Sequence, residues 1–490
     1  MDTYPSYIGG EWREGTGARV EKNLNPANTD DVIGTVRYAT RAETRAAIDA
    51  AAQAQPAWKR VPGPERGRVV FRAAAVMARR KEEIARMLTR EEGKILREAR
   101  GEVQKSINAM EFLAGEGTRL TGQTAPSDLP FNLCYTLRVP IGVAGLITPW
   151  NFPVAIPSWK IAPAVVAGNA VVIKPSPLTP GTARMVVECF EEAGLPKGVL
   201  NMVHGEGPDV GEEIVENPRV GVISFTGSNA VGTRIYSQAA PLLKKVQCEM
   251  GGKNAAVIME DADLGLALEG VMLGAFGSTG QRCTATSRVV IHEEVADRFV
   301  ERLVERARSL KLGDGLVEGI DVGPAVSEMQ MKKDLEYIEV GRKEAKLLCG
   351  GDRPGGPLAK GYFVSPTVFD HVTKEMRIAQ EEIFGPIACV IRVKSFEEAV
   401  DVANSVKFGH QSALFSSDPS RLHRFVDEVE VGGVHLNSAT IGGEAHLPFG
   451  GMKATSVGTR EMGSVAVDFY TELKTVYVDY TGQKRTTSFY

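Results

Sequence analysis

Val143-Ala-Gly-Leu-Ile-Thr148, Ala170-Val-Val-Ile-Lys174, Val199-Leu-Asn-Met-Val203 and Val220-Gly-Val-Ile-Ser-Phe225 are short, nearly unbroken apolar runs. The stretches between them, 158–168 and 181–194, read as helices. A strand with no polar face must be covered on both sides, so the alternation predicts a parallel sheet with helices on both faces, an α/β fold. The same grammar restarts after Gly251-Gly252 with Asn254-Ala-Ala-Val-Ile-Met259, a helix over 263–275, a strand over 287–292 and a long amphipathic helix over 294–312. A second α/β unit is expected there.

Upstream, the first 120 residues read as helix-rich. Thr40-Arg-Ala-Glu43 sets a hydroxyl cap three residues before a carboxylate. Helices are expected to about Pro56, then from Pro64 to near Gly115. Thr475-Val-Tyr-Val-Asp-Tyr480 has strand alternation, and 129–138 reads as a hairpin. There is no internal repeat and no low-complexity linker.

Composition narrows the function. The 490 residues are 43% hydrophobic and 24% charged, an ordinary globular balance whose length suggests two or three domains. With 57 Lys+Arg against 61 Asp+Glu, the net charge of -4 offers no basic field, so nucleic acid is not expected as a partner. No run of roughly 18 apolar residues would span a membrane, and residues 1–10 lack a signal-peptide pattern; a cytoplasmic protein is expected. The six cysteines include no CxxC pair and no compact Cys/His cluster, so no metal site is expected and most of the thiols read as reduced core filler. The seven histidines are equally scattered.

Three residues have the chemistry for a reaction. Cys283 lies in Phe276-Gly-Ser-Thr-Gly-Gln-Arg-Cys-Thr284, where small residues admit a substrate and Arg282 is a cation that would favour thiolate; a buried structural thiol is the bland alternative. Glu249 ends Lys245-Val-Gln-Cys-Glu249 just before Met250-Gly-Gly-Lys253, so it is either a general base at a Gly-rich turn or a surface turn residue. Asn151 follows the first parallel strand, where ligands of open α/β sheets bind, and is either an oxyanion donor or a turn residue beside proline.

Phe225-Thr-Gly-Ser228, with Gly232, opens a helix after a strand, a place suited to phosphate. Gly227 and Gly232 have P-loop spacing, but Thr233-Arg234 replaces the Lys-Ser/Thr pair, and no GxGxxG occupies the strand-to-helix turns. Local sequence leaves the cofactor open.

Taken together, Thr148-Pro-Trp-Asn-Phe-Pro153, Lys174-Pro-Ser176, Phe225-Thr-Gly-Ser228, Glu249-Met-Gly-Gly-Lys253, Gly280-Gln-Arg-Cys283, Glu381-Glu-Ile-Phe-Gly-Pro386 and Pro448-Phe-Gly-Gly451 resemble the aldehyde dehydrogenase superfamily in order and spacing, over nearly the whole chain. The resemblance implies a Rossmann-like NAD(P)-binding domain at 1–121 and 141–251, a catalytic domain at 252–467, and a β oligomerisation arm at 122–140 and 468–490. It implies a homodimer or homotetramer acting on a small aldehyde, without nucleic acid, membrane or metal.

The resemblance also assigns roles. Cys283 would attack the aldehyde, Asn151 and the Cys283 N–H would hold the oxyanion, and Glu249 would activate water against the thioester. Lys174 and Glu382 would hold ribose hydroxyls, Phe384 the nicotinamide side, Trp150 the cleft and Ser228 the pyrophosphate. Thr148, Pro149, Ser176, Pro177, Gly227 and Gly251 would complete the cofactor site, and Phe152, Thr284 and Phe449, with Arg282, the substrate site.

Two departures refine this. NAD-restricted members carry Glu three positions after the lysine, where this chain has Pro177, so NADP is expected to be accepted, alone or with NAD. The run Pro448-Phe-Gly-Gly-Met-Lys-Ala-Thr-Ser-Val-Gly-Thr-Arg-Glu461 is one residue longer than the common pattern, with Ser456 where glycine is usual. That length, Gln281-Arg-Cys-Thr-Ala-Thr-Ser287 and Val476-Tyr-Val-Asp-Tyr480 look like the α-ketoglutaric semialdehyde (2,5-dioxovalerate) dehydrogenase branch. Arg282 would then pair with a distant acid group on the aldehyde, the alternative being an arginine packed or paired outward. The competing readings are a CoA-acylating semialdehyde dehydrogenase, against which Glu249 argues, and a non-catalytic structural relative.

Overall fold

The computed structural model describes residues 2–482. The body of its eight-stranded first sheet is parallel, in the order Lys245–Glu249, Val220–Thr226, Val143–Ile147, Ala170–Lys174 and Leu200–Met202. The chain moves outward from Val143–Ile147 in one direction, then crosses over to build the other side. That reversal creates a switch point between Val143–Ile147 and Val220–Thr226. Every residue of Val143–Ile147 and of Ala170–Lys174 is buried, as the unbroken apolar runs require.

Apolar clusters cover both faces of this sheet. Helix Ala155–Ala167 is buried along its whole length and ends at Gly168, whose φ of +97° closes the last turn in the left-handed region that glycine adopts freely. Each fully buried Val, Ile or Leu in these layers contributes roughly 1.5–3 kcal/mol against exposure.

The second sheet has seven strands, in the order Lys346–Cys349, Thr367–Asp370, Ile387–Val393, Thr286–His292, Asn254–Ile258, Gln411–Phe415 and Gly433–Leu436. Only Lys346–Cys349 runs antiparallel to its neighbour. Its two faces are also covered by apolar clusters. Both α/β units therefore form as expected.

One expectation changes, and three regions gain detail. The N-terminal region is helix-rich as expected and also carries strands: Ser6–Ile8 and Glu11–Arg13 extend the first sheet, and Asp2–Thr3, Asn28–Arg37 and Val20–Asn25 make a small sheet of their own. The helices expected from Pro64 to near Gly115 are Gly63–Arg79, Lys81–Glu92 and Leu96–Gly115, the second ending at Gly93 with φ +95°.

The segment expected as a hairpin is instead the central strand Asn132–Pro140, paired antiparallel with Thr471–Asp479 and with Thr124–Ala125. Ser456–Val457 joins the edge of the first sheet, and Met462, Ala466, Val467 and Phe469 pack into its core. The capping box at Thr40 and Glu43 forms as expected. The expected arm's residues 483–490 lie outside the described residues.

Candidate active site

At the switch point, Pro149, Trp150 and Asn151 follow one strand while Thr226, Gly227 and Ser228 follow its neighbour. Together they line a cavity of about 170 Å³. Its opposite wall comes from segments preceding strands of the second sheet: Gly251, Cys283, Glu382 and Phe384. The cavity thus lies between the carboxyl ends of one sheet and the amino ends of the other.

The wall has the features a dinucleotide requires. Ser228 is the N-cap of helix Asn229–Ala239 and makes no side-chain cap bond, leaving first-turn N–H groups for an anion. Glu382 accepts from the Gly252 N–H at 2.9 Å. A Cβ on Gly251 would lie 2.3 Å from the Glu382 carboxylate, so only glycine permits that approach. Phe384 has φ +72° and meets Trp150 edge-on at 5.4 Å, two rings framing the cavity.

Deeper along the sheet edge, Lys174 is buried with, among the described residues, only a 3.4 Å contact to the Pro175 carbonyl, and burial pushes its amine down to about 8. The Thr148 hydroxyl is buried without a partner among the described residues. Under-satisfied polar groups of this kind suit ribose hydroxyls. Ser176 accepts from the Leu178 N–H at 3.2 Å, and Pro177 follows it half-buried, so no carboxylate stands there.

Cys283 is delivered by a tight turn after helix Leu264–Phe276. Ser278 and Thr279 hold left-handed φ values of 48° and 57°. They are pinned by Ser278 N–H to Glu98 at 2.8 Å and by the Thr279 hydroxyl to the Gly323 carbonyl at 3.0 Å. A Cβ on Gly280 would lie 2.1 Å from the Gly385 carbonyl, so glycine is obligatory where this turn meets the 381–386 loop. Asn254 Nδ2 donates to the Cys283 carbonyl at 2.8 Å, fixing the nucleophile's backbone. Among the described residues, the Cys283 N–H meets no acceptor.

The residue is half-buried, yet its sulfur sits deep enough that burial pushes the thiol up to about 12. The carboxylates of Glu382 and Glu249 add to the rise, and Lys105 opposes it.

Asn151 is buried and donates from Nδ2 to the Gln281 carbonyl at 3.0 Å, leaving the second N–H of that amide available. Its carbonyl accepts from Lys94 Nζ at 2.6 Å. Lys94 also pairs with Glu102 at 2.7 Å, and Glu102 in turn accepts from the N–H groups of Val154 and Ala155 at 2.9 and 3.2 Å. A buried ion pair whose carboxylate accepts three hydrogen bonds thus fixes the backbone that carries Asn151.

Glu249 ends the last parallel strand of the first sheet and is buried. One carboxylate oxygen accepts from Ser456 Oγ, directly across the strand pair, while the other has no partner among the described residues. Burial, and then the Glu461 carboxylate, hold Glu249 well above the ordinary carboxylate range; the Ser456 bond, Arg460 and Lys160 oppose this. Glu461 is itself held by Lys160 and by Trp159 Nε1 at 2.7 Å.

Arg282 requires a correction. Its guanidinium is not a free cation beside the sulfur: it pairs with Glu98 at 3.1 Å and donates to Ser278 Oγ at 2.8 Å. Among the cations, Lys105 has the largest effect on Cys283. Of the expected substrate residues, Phe152 lies under Lys94 at 4.2 Å, and Phe449 packs against Trp159 at 5.7 Å. The Thr284 carbonyl is tied by Thr440 Oγ1 at 2.8 Å. Sequence reasoning missed Lys94, Glu102, Lys105 and Glu461, whose partners are distant in the chain. Among the described residues, no His/Cys/Asp/Glu group could hold a metal, and no helix is long and apolar enough to cross a membrane.

Residues 12–476 match the aldehyde dehydrogenase family. The chain is 47% identical to the alpha-ketoglutaric semialdehyde dehydrogenase of Bacillus subtilis strain 168, over 98% of each protein. It is 45% identical to the alpha-ketoglutarate semialdehyde dehydrogenase of Haloferax volcanii, over 98% of this chain and 100% of that one. The crystal structure of betaine aldehyde dehydrogenase from Staphylococcus aureus in complex with NAD+ superposes with a TM-score of 0.96, at 33% identity, over 99% of this chain and 96% of that one.

Proposed function

The chain belongs to the aldehyde dehydrogenase family, and on that premise we propose that it oxidises an acidic semialdehyde, such as α-ketoglutaric semialdehyde, to the carboxylic acid with NAD(P). The observation that carries the chemistry is the convergence of Cys283 and Asn151 on one cavity from its opposite walls, within electrostatic reach of the buried Glu249.

In this reading the Cys283 thiol gives up its proton to solvent water and the sulfur adds to the aldehyde carbon. The charge that develops on oxygen falls to the Cys283 N–H and the unused Asn151 amide proton. When bound, NAD(P) accepts the hydride that turns the thiohemiacetal on Cys283 into a thioester. Pro149, Trp150, Ser228, Lys174, Glu382 and Phe384 would hold the dinucleotide, with Thr148, Ser176, Pro177, Gly227 and Gly251 shaping its bed. Glu249 takes a proton from water as that water attacks the thioester, and free acid leaves. The presence of that base supports hydrolysis over transfer to CoA. Assaying acidic and neutral aldehydes with both cofactors tests the reading; an acyl-CoA product in place of free acid would overturn it.

Ser456 adjusts the base. Its hydroxyl bond favours the charged carboxylate, so its loss leaves burial and Glu461 less opposed and raises the Glu249 pKa further. Because the base acts deprotonated, Ser456→Gly is expected to shift the acid limb of the kcat–pH profile to higher pH. A limb that stays in place would separate Ser456 from the base.

With Pro177 in place of a carboxylate, nothing repels a 2′-phosphate there. NADP is expected to be used with a kcat/KM within roughly a thousandfold of that for NAD, about 4 kcal/mol. A larger NAD preference in a steady-state comparison would defeat this.

We assign the cofactor unit to 1–121 with 141–251 and the catalytic unit to the chain from 252 up to the segment that returns to the first sheet. The arm built on Asn132–Pro140 and Thr471–Asp479 exposes Leu133, Leu137, Leu473, Tyr477 and Val478, apolar surface that supports assembly into a homodimer or homotetramer. All six thiols are free, which fits a cytoplasmic setting.

A further inference from the structure

One cation beside the nucleophile lacks a counter-ion. Lys105 lies on helix Leu96–Gly115, half-buried, with Nζ 5.3 Å from the Trp159 ring centroid and 5.5 Å from that of Phe449. Among the described residues it makes no hydrogen bond and no ion pair. Its charge acts on Cys283. Burial holds its amine below the usual lysine value, Arg282 adds to the fall, and Cys283 and Glu102 oppose it.

The neighbouring cations are matched or directed elsewhere. Lys94 pairs with Glu102, Arg282 with Glu98, and Lys160 with Glu461. Arg460 acts on Glu249 and His410. The loop at Gly442-Gly443 borders Lys105: a Cβ on Gly443 would lie 3.3 Å from Nζ and 3.7 Å from the Phe449 ring, so glycine lets this loop sit against the amine. Two aromatic faces hold an ammonium more weakly than a charge-assisted hydrogen bond would, and a carboxylate leaving water needs such a partner in return.

We propose that Lys105 is the specificity-determining residue that receives the distal carboxylate of an acidic aldehyde, with the chain of the substrate lying along Trp159 and Phe449 and its aldehyde carbon facing Cys283. This rests on the acidic-semialdehyde reading above. Lys105 replaces Arg282 as the anchor, because the Arg282 charge is already met by Glu98.

The test compares 4-oxobutanoate with butanal, aldehydes of equal length with and without the carboxylate, in the wild type and in Lys105→Met, Lys105→Arg, Arg282→Leu and Arg460→Leu. Lys105→Met is expected to lower the acidic-to-neutral ratio of kcat/KM by about thirtyfold or more, about 2 kcal/mol, mainly through KM. Lys105→Arg should restore most of it. A second readout needs no turnover: alkylation of Cys283 by iodoacetate relative to iodoacetamide. Both reagents meet the same sulfur, so a change in thiolate fraction cancels and only attraction of the anion remains. That ratio should also fall in Lys105→Met.

Equal losses on both aldehydes with an unchanged alkylation ratio would overturn the assignment, leaving Lys105 a role in the thiol or the fold. A selective loss in Arg460→Leu or Arg282→Leu instead would place the anchor there. A wild type that prefers 4-oxobutanoate while Lys105→Met keeps that preference defeats Lys105 alone. A wild type with no such preference defeats the acidic-substrate reading, and this inference with it.

Discussion

Replacing Cys283 by alanine is expected to abolish aldehyde-dependent NAD(P)H formation, by ~10⁴-fold or more in kcat, because the covalent route then has no nucleophile. The effect should be specific to this thiol. Cys189, Cys248, Cys349 and Cys389 are buried, and Cys134 lies on the strand Asn132–Pro140 of the arm, away from the cavity wall. The variant should fold normally, since removing one sulfur at a cavity edge opens no core void. Unchanged cofactor binding with lost oxidation is the expected pair of results, measured by quenching of cofactor fluorescence and by absorbance. Residual turnover near the wild-type rate would mean that the protein does not use this sulfur.

Replacing Glu249 by glutamine is expected to separate the two halves of the reaction. The amide keeps the shape, and an acceptor for Ser456, but cannot take a proton from water. Thioester hydrolysis should slow by ~10²–10⁴-fold, the range of a lost general base. Stopped-flow mixing should therefore show one equivalent of NAD(P)H per chain, followed by a nearly flat steady state. If the burst is lost together with the steady state, Glu249 serves the first half, as acceptor of the Cys283 proton. That role is physically reasonable for a thiol that burial pushes up to about 12.

The sequence was informative where one residue type admits one role. The strands Val143–Ile147 and Asn254–Ile258 are apolar on both faces, and such segments have nowhere to go except between covering layers. Cys283, Glu249 and Asn151 were legible because they sit at strand ends and small-residue turns, and the motif order supplied what local chemistry left open. The short strands at Ser6–Ile8 and Ser456–Val457 were not legible, because two or three residues carry no measurable alternation and their pairing is with distant strands.

Side-chain destinations were the least legible of all. Arg282 next to a cysteine looks like a free cation in sequence, but its partner Glu98 comes from a helix 184 residues earlier. Lys105 is an unremarkable residue of an amphipathic helix until Phe449 is brought to it by backbone pairing with Glu461. The Lys94–Glu102 pair that fixes Asn151 likewise appears only when helix and loop are packed together.

The most direct measurement is mass spectrometry of acid-quenched Glu249→Gln protein after one turnover with 4-oxobutanoate and NAD(P). The account predicts a mass increase equal to one acyl group per chain, located on the peptide carrying Cys283 and released by hydroxylamine. Stoichiometric NAD(P)H without that adduct, or with the acyl group on any other residue, would contradict it.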